Sequence, residues 1–356
     1  MEKTYERFNN GNSAVDWKEC ISRFSQNKVF VIGDVMLDQY QWGEVKRISP
    51  EAPVPVFHVT GKTTVLGGAA NVAVNLAGLE VPVSLVGVRG KDRNGEELSR
   101  LLAKEGVTDL LMEMDQWPTI TKTRVMAQNQ QLFRIDEEHT ASLPVESQKI
   151  ILSKVKELVK EYKVVILSDY SKGMLINGLC QEVIELCRSL NMPAIVDPKR
   201  EDWIRYRGAT CITPNIQEFS QFVQTSVEKE AELIRKAQEV CMQLDLKYLL
   251  ITRGAKGVVL VGQDNEPAVI PAKAREVYDV SGAGDTVVAT LAAAVGVGIS
   301  WIEAAQIANM AAGIVVGKLG TQPILKDELE RLAAPLMKNG YGQYLVNLLR
   351  YEGNYA

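Results

Sequence analysis

An acid one step inside a glycine turn is the part of this chain best suited to chemistry. The stretch Tyr278-Asp279-Val280-Ser281-Gly282-Ala283-Gly284-Asp285 runs straight into Thr286-Val287-Val288-Ala289-Thr290-Leu291. Its small residues end a strand-like segment and open an apolar helix. Backbone N–H groups are left unpaired there, where the helix dipole is positive, a setting that suits an anionic oxygen. Asp285 falls beside this anion hole, placed to take a proton from an attacking hydroxyl. Gly282, Ala283, Gly284 and Asp285 thus supply two needs of phosphoryl transfer to an alcohol, charge stabilisation and a base. The same Gly-Ala-Gly also serves as a plain tight turn in many α/β proteins.

A second glycine signature lies far upstream, Leu66-Gly67-Gly68-Ala69-Ala70-Asn71. Gly67 and Gly68 let backbone approach a polar ligand closely, and Asn71 is placed either to hydrogen-bond sugar hydroxyls or to cap its own helix. In this order, at opposite ends of one chain, the two signatures resemble those of the PfkB (ribokinase-like) family of sugar kinases. The family's GG-x-x-N box matches Gly67, Gly68 and Asn71. Its D-T-x-G-A-G-D box matches Asp279, Gly282, Ala283, Gly284 and Asp285, with Val280 where Thr is usual. The resemblance covers roughly residues 28–335. Within the family, the strings VFVIGDVMLDQYQWGEVKRISPEAPVPVF, TITKTRVMAQNQQLFRIDEE, LSDYSKGML and VDPKR are similar to the D-glycero-β-D-manno-heptose-7-phosphate kinases.

The resemblance implies ATP-dependent phosphorylation of a heptose 7-phosphate at O1, with Mg²⁺, on the route to ADP-heptose for surface polysaccharide. In many bacteria that activity forms the first half of a bifunctional kinase/adenylyltransferase. No nucleotidyltransferase half follows in this sequence, so the expectation is a stand-alone kinase. The implied fold is a three-layer α/β/α sandwich with a mostly parallel central sheet. A small β lid lies over the sugar and often supplies a homodimer interface. Two other readings stay open: a PfkB kinase for another sugar phosphate, of the fructose 1-phosphate or tagatose 6-phosphate type, and a non-catalytic sugar-phosphate sensor.

Substrate-side candidates begin with Asp34, directly after the first strand, and Asp38. Acids at the carboxyl end of a strand in an open α/β sheet are placed to meet a ligand, although Asp34 also suits a turn cap. Lys122 and Arg124 fall on one face of a strand by alternation, and Arg134 and Lys172 join them as candidate cations for a substrate phosphate. Each is equally readable as a solvated lid charge. On the nucleotide side, the resemblance implies that Asn215 and Glu218 organise ATP and Mg²⁺, Glu218 largely through water. Read alone, Pro214-Asn215-Ile216-Gln217-Glu218 is a capped helix start. Thr252, Arg253, Gly254 and Gly257 resemble the phosphate-side loop, Arg253 offsetting charge on the transferred group. Lys199 is expected to reach the nucleotide, and Asn309 resembles an adenine-side position or a buried helix Asn.

These residues need a scaffold, and the pattern supplies one. Lys28–Gly33 is a continuous apolar run ending in Gly, the mark of a buried parallel strand. Strand-like runs at 81–86, 164–167, 194–196, 211–213 and 248–251 alternate with helical patterns near 94–105, 145–162, 177–190 and 227–243, which specifies a parallel sheet covered on both faces. Segments 257–261 and 268–270 read as a later antiparallel pair, and 283–297, 300–317 and 326–337 as helices. Four further strands, at 40–45, 54–59, 119–127 and 131–136, interrupt the rhythm and form a separate small sheet. The organisation expected is an N-terminal arm over 1–27 with a short helix near Ala14–Phe24, a kinase domain over 28–338 with lid strands within about 39–60 and 119–136, and a C-terminal tail over 339–356.

Composition narrows the classes. At 356 residues the chain has ample length for a core, and 46% hydrophobic with 24% charged residues is ordinary for a soluble domain. A formal charge of -4 with no basic stripe argues against nucleic acid. Five scattered cysteines without C-x-x-C spacing fit reduced thiols, and two histidines are too few for a typical metal cluster. With no membrane-length apolar run and no leader-like start, a cytoplasmic protein is expected. No P-loop, no G-x-G-x-x-G after the first strand and no G-x-S-x-G elbow offers a rival chemistry.

Overall fold

Val29 and Val31 face one apolar core while Phe30 and Ile32 face another, so the first strand lies between two layers of helices. Val164 and Ile166 alternate with Val165 and Leu167 in the same way. The computed structural model describes residues 16–333 except 129, 140, 177, 200–201, 228, 264–265, 273–276 and 319. The start of the expected arm helix, Asn129 of the hairpin turn, the end of the last helix and the tail lie outside the described residues.

Along the chain run α1 (Trp17–Ser22), β1 (Val29–Gly33), β2 (Val35–Ile48), β3 (Pro55–Gly68), α2 (Ala69–Gly78), β4 (Val83–Val86) and β5 (Val88–Gly90). Next come α3 (Arg93–Lys104), β6 (Thr108–Asp109), β7 (Met112–Met114), β8 (Thr121–Ala127), β9 (Gln130–Glu137), α4 (Val145–Leu158), β10 (Val164–Ser168), α5 (Leu179–Ser189) and β11 (Ala194–Asp197). The remainder is β12 (Cys211–Ile212), α6 (Ile216–Phe222), α7 (Glu230–Leu244), β13 (Tyr248–Thr252), β14 (Val258–Gly262), β15 (Ala268–Ile270), α8 (Ala283–Gly296), α9 (Trp301–Val315) and α10 (Lys326–Ala333).

Nine strands form the central sheet in the order β15-β14-β13-β12-β11-β10-β1-β4-β6. All pair in parallel except β14 and β15, which are antiparallel as their spacing predicts. From β1 the chain moves to β4 and β6 on one side and returns to β10 on the other. The β1/β10 pair is therefore a topological switch point, where the crossovers diverge and leave a crevice at the strand ends. Gly33 pairs with Ser168 there.

The second sheet has the order β3-β2-β8-β9. Its four strands match the expected interruption, but β2 and β3 are much longer than the alternating runs that announced them. Their inner ends, Val35, Met36, Leu37 and Leu66, are buried. Burial on both faces removes the alternation, so these ends read as parts of the neighbouring elements. Pairing of Val35 with Gly68 places both upstream glycines at a strand end rather than within the helix start. The short parallel pair β5 and β7 is too brief to leave a periodic signal. Helix α1, capped by Asp16, buries Trp17 and Ile21, with Phe24 in the following turn, so this part of the expected arm belongs to the core. Among the described residues no helix is long and apolar enough to cross a membrane.

Sheet closure at the switch point requires a missing side chain. A Cβ on Gly33 would overlap the Ser168 carbonyl oxygen and lie 3.0 Å from the Ala69 Cβ. Gly33→Ala is expected to lower unfolding free energy by about 2 kcal/mol. An unchanged denaturant midpoint would show that the strands do not close as described.

Candidate active site

Helix α8 is N-capped by Gly282, whose φ of 78° lies in the left-handed region that glycine alone enters freely. A Cβ there would come within 3.0 Å of the Asn71 amide nitrogen, whereas one on Gly284 would meet open space. The first helical bond is Thr286 N–H to the Gly282 carbonyl at 3.0 Å, and Ala283 N–H reaches the Val280 carbonyl at 3.3 Å. Among the described residues the N–H groups of Gly282, Gly284 and Asp285 have no acceptor. A cradle of donors at a positive helix end is the result.

Asp285 sits in that first turn and is 6% exposed. Tyr170 donates its hydroxyl to Oδ1 and Asn71 donates its amide to Oδ2, both at 2.6 Å. Burial pushes the Asp285 carboxyl up to about 6, the two hydrogen bonds and Lys199 pull it down, and the Asp38 charge adds to the rise. A carboxylate with that balance is ionised at neutral pH yet basic enough to accept a proton.

Asp34 occupies the switch point, 3% exposed. Its Oδ2 accepts the N–H groups of Tyr170 (2.9 Å) and Lys172 (3.0 Å), and its Oδ1 that of Met174 (3.0 Å). Burial lifts this carboxyl to about 6 as well, against the backbone donors and with help from Asp169. Of its two expected roles, the turn-holding one accounts for every bond it makes here. Asp38 packs against Gly67 and forms an ion pair with Arg124 at 2.5 Å, so both upstream glycines adjoin these acids.

The four candidate cations converge, and three of them arrive with partners. Arg124 holds Asp38, Arg134 holds Asp136 at 2.7 Å, and Lys172 holds Glu138 at 2.7 Å. Lys122 has no carboxylate within ion-pair distance among the described residues. Burial first, and then the Lys172 charge, push its ammonium below the usual lysine range, with Asp38 and Glu138 opposing. Two apposed lysines, one unpaired, form a place where an anion is wanted.

On the other side, Thr252, Gly254, Gly257, Ala283, Gly284 and Asn309 line one largely apolar cleft of about 280 Å³. Asn309 donates to the Pro271 carbonyl at 2.9 Å, on the wall of that cleft. Arg253 departs from its expected place: its guanidinium binds Glu230 at 3.0 Å and the Lys256 carbonyl at 3.2 Å, and it does not line the cleft. Asn215 and Glu218 form a reciprocal capping box on α6, and Glu218 also binds Lys199 at 2.9 Å. The capping that the motif suggested by itself is therefore present.

Asp197, at the end of β11, was not singled out by its sequence. Burial, then Asp285 and Glu218, hold its carboxyl well above the usual range, while Lys199 opposes. Lys199 itself is raised, because Glu218, Asp197 and Asp285 outweigh the cost of burying it. This excess of carboxylate oxygen over positive charge fits a hydrated Mg²⁺, which needs few direct protein ligands. The described residues contain no group of three or more acids, histidines or cysteines close enough to cage a metal directly. Tyr170 also went unassigned, although its LSDY string was visible.

With this geometry in view, the comparisons are specific. The model of the pfkB family carbohydrate kinase matches residues 26–328. Bifunctional protein HldE of Haemophilus influenzae is 45% identical over 322 residues, covering 90% of this chain and 66% of that protein. The protein of the same name in Pseudomonas syringae pv. tomato is 48% identical over 315 residues, covering 88% and 65%. The chain therefore spans just under two thirds of the length of these curated relatives. Among solved structures, ribokinase of Arabidopsis thaliana complexed with ribose and ATP superposes with a TM-score of 0.70 at 22% identity, covering 86% of this chain and 98% of that one. At that identity the likeness concerns the fold, which is the α/β/α sandwich expected.

The raised Asp285 carboxyl carries a stability consequence with a definite sign. Its folded pKa lies above the unfolded value, so the native state binds the extra proton between the two, and ionisation destabilises it as pH rises through about 6. Asp285→Asn does not titrate. Relative to wild type, the variant should gain roughly 2–3 kcal/mol of stability between pH 4 and pH 7. A difference that stays flat in urea titrations across this range would mean the carboxyl is not raised.

Proposed function

The chain belongs to the pfkB family of carbohydrate kinases, and from that premise we propose that it transfers the γ-phosphoryl group of ATP to O1 of D-glycero-β-D-manno-heptose 7-phosphate. The product is heptose 1,7-bisphosphate, on the route to ADP-heptose for surface polysaccharide. One observation carries the reading: a buried, ionisable Asp285 stands beside unpaired helix N–H groups. On one side of it lies a cation cluster, on the other an apolar cleft.

In this reading Asp285 accepts the O1 proton as O1 attacks the γ-phosphorus. The new O1–P bond forms while the bond from phosphorus to the β-bridging oxygen breaks, and ADP leaves with that electron pair. The N–H groups of Gly282, Gly284 and Asp285 hold the oxygens of the transferred group. Lys199 faces the nucleotide phosphates, and the apolar cleft receives the base. Glu218 would hold Mg²⁺ through water, and the ion would neutralise phosphate charge. Asn71 and Asp38 orient the sugar, and Lys122 with Lys172 and the lid arginines takes its 7-phosphate. Closure of the four-stranded lid keeps water, a competing acceptor, out of the site. A second copy of the chain is assigned to the same sheet, whose Leu132, Phe133 and Ile135 are exposed. The protein works in the cytoplasm.

A coupled ADP assay with heptose 7-phosphate against fructose 1-phosphate and tagatose 6-phosphate tests the substrate, and preference for a hexose phosphate would overturn it. Asp285→Asn should lower kcat by at least ~100-fold with substrate binding nearly intact. Wild-type kcat/KM should be level above pH 6 and fall about tenfold per unit below it, since the base must be ionised. Turnover of the variant within a few-fold of wild type would remove Asp285 as base. Lys122→Ala should raise KM for the phosphorylated sugar by roughly tenfold or more and leave KM for ATP within about twofold. Equal effects on both would count against the phosphate clamp.

A further inference from the structure

We propose that Tyr170 is the positioning residue of the base, and that Asp34 acts through it by anchoring the 170–174 loop. This rests on the kinase reading above and adds to it a residue and a cause. Tyr170 touches both halves of the site. Its hydroxyl donates to Asp285, and the Lys199 ammonium lies 5.9 Å from the centre of its ring while bound to Glu218. One aromatic side chain thus donates to the base and presents its ring to the nucleotide-side lysine.

The carboxylate needs such a device. Asp285 has a donor on each oxygen, Asn71 from α2 and Tyr170 from the loop after β10. Together they fix the carboxylate plane, and one unused lone pair on each oxygen remains for an attacking hydroxyl. Without Tyr170, only Asn71 would hold a carboxylate that also feels Asp38 from β2 and Asp197 and Lys199 from the end of β11.

Tyr170 in turn is held unusually firmly for a loop residue. Asp34 accepts three N–H groups between Tyr170 and Met174, and Asp169 accepts the N–H of Ser171 at 2.7 Å. Ser171 has a φ of 60°, a conformation that costs a non-glycine residue energy and persists only where the surroundings impose it. Two buried carboxylates impose it. Lys172, from the same turn, reaches Glu138 after the last lid strand, so the loop that sets the base also meets the lid.

The hydroxyl favours ionised Asp285, so its removal should raise the pKa of the base. In the full chain, Tyr170→Phe is expected to lower kcat by roughly tenfold and keep both KM values within about twofold. It should also move the acidic limb of kcat/KM upward by about half to one pH unit. Asp34→Asn, which loses acceptor capacity at the loop, should move the limb in the same direction by a separate route. Tyr206→Phe is the comparison: its hydroxyl donates to Asp169 at 2.7 Å, on the far side of the same loop, and the limb should stay in place. Unchanged kcat and limb in Tyr170→Phe, beside an inactive Asp285→Asn, would overturn this assignment alone. An active Asp285→Asn would remove the base and this inference together. An equal shift in Tyr206→Phe would trace the effect to general loosening and also overturn it.

Discussion

Keeping a carboxylate buried and still ionisable is the constraint from which the rest of this structure follows. Desolvation alone would neutralise Asp285, and a neutral acid takes no proton. Two short hydrogen bonds, a nearby lysine and a helix N-terminus supply enough opposing field to keep it charged near neutrality. None of these groups comes from the same part of the chain. Asn71 needs the strand end at Gly68, Tyr170 needs the end of β10, and Lys199 needs the end of β11. The central sheet sets the ends of β10 and β11 side by side, and pairing of Gly68 with Val35, just after β1, brings the end of β3 in from the second sheet.

A second economy of charge operates on the lid side. Three of four cations are neutralised in advance by Asp38, Asp136 and Glu138, which limits self-repulsion while the site awaits a ligand. An incoming phosphate must compete with these carboxylates, so its affinity depends on the difference between two sets of ion pairs. Only a doubly charged group arranged to meet several cations at once competes well. In the proposed reaction that group is the phosphate of a phosphorylated sugar. The apolar cleft on the opposite side makes no comparable demand, because in the proposed reaction a planar base would bind there through contact area.

Much of this was legible before folding. Eight of the nine central strands announced themselves as short apolar runs, whereas β6 (Thr108–Asp109) is too short and polar to do so. The two glycine boxes marked the ends that matter. Where alternation failed, as in the buried inner halves of β2 and β3, the reading stopped short for a physical reason: strands covered on both faces lose their period. Arg253 was assigned to the phosphate side by the resemblance of its loop to the family's, and its ion pair was not foreseen. The competing acid, Glu230, lies 23 residues away in sequence and gives no local signal. Tyr170 was invisible in the opposite way, since a tyrosine after a strand carries no chemistry until its hydroxyl meets an acid.

Residue types and spacing by themselves determined the layered α/β architecture, the separate small sheet and the glycine-led helix start with its unpaired N–H groups. These are local or periodic properties, carried by neighbouring residues. Which oxygen each donor grips, which cations stand paired and which carboxyls rise to about 6 were decided only when distant strand ends met. Hydrogen bonds and desolvation act over a few ångströms of space, and separation along the chain does not encode that distance.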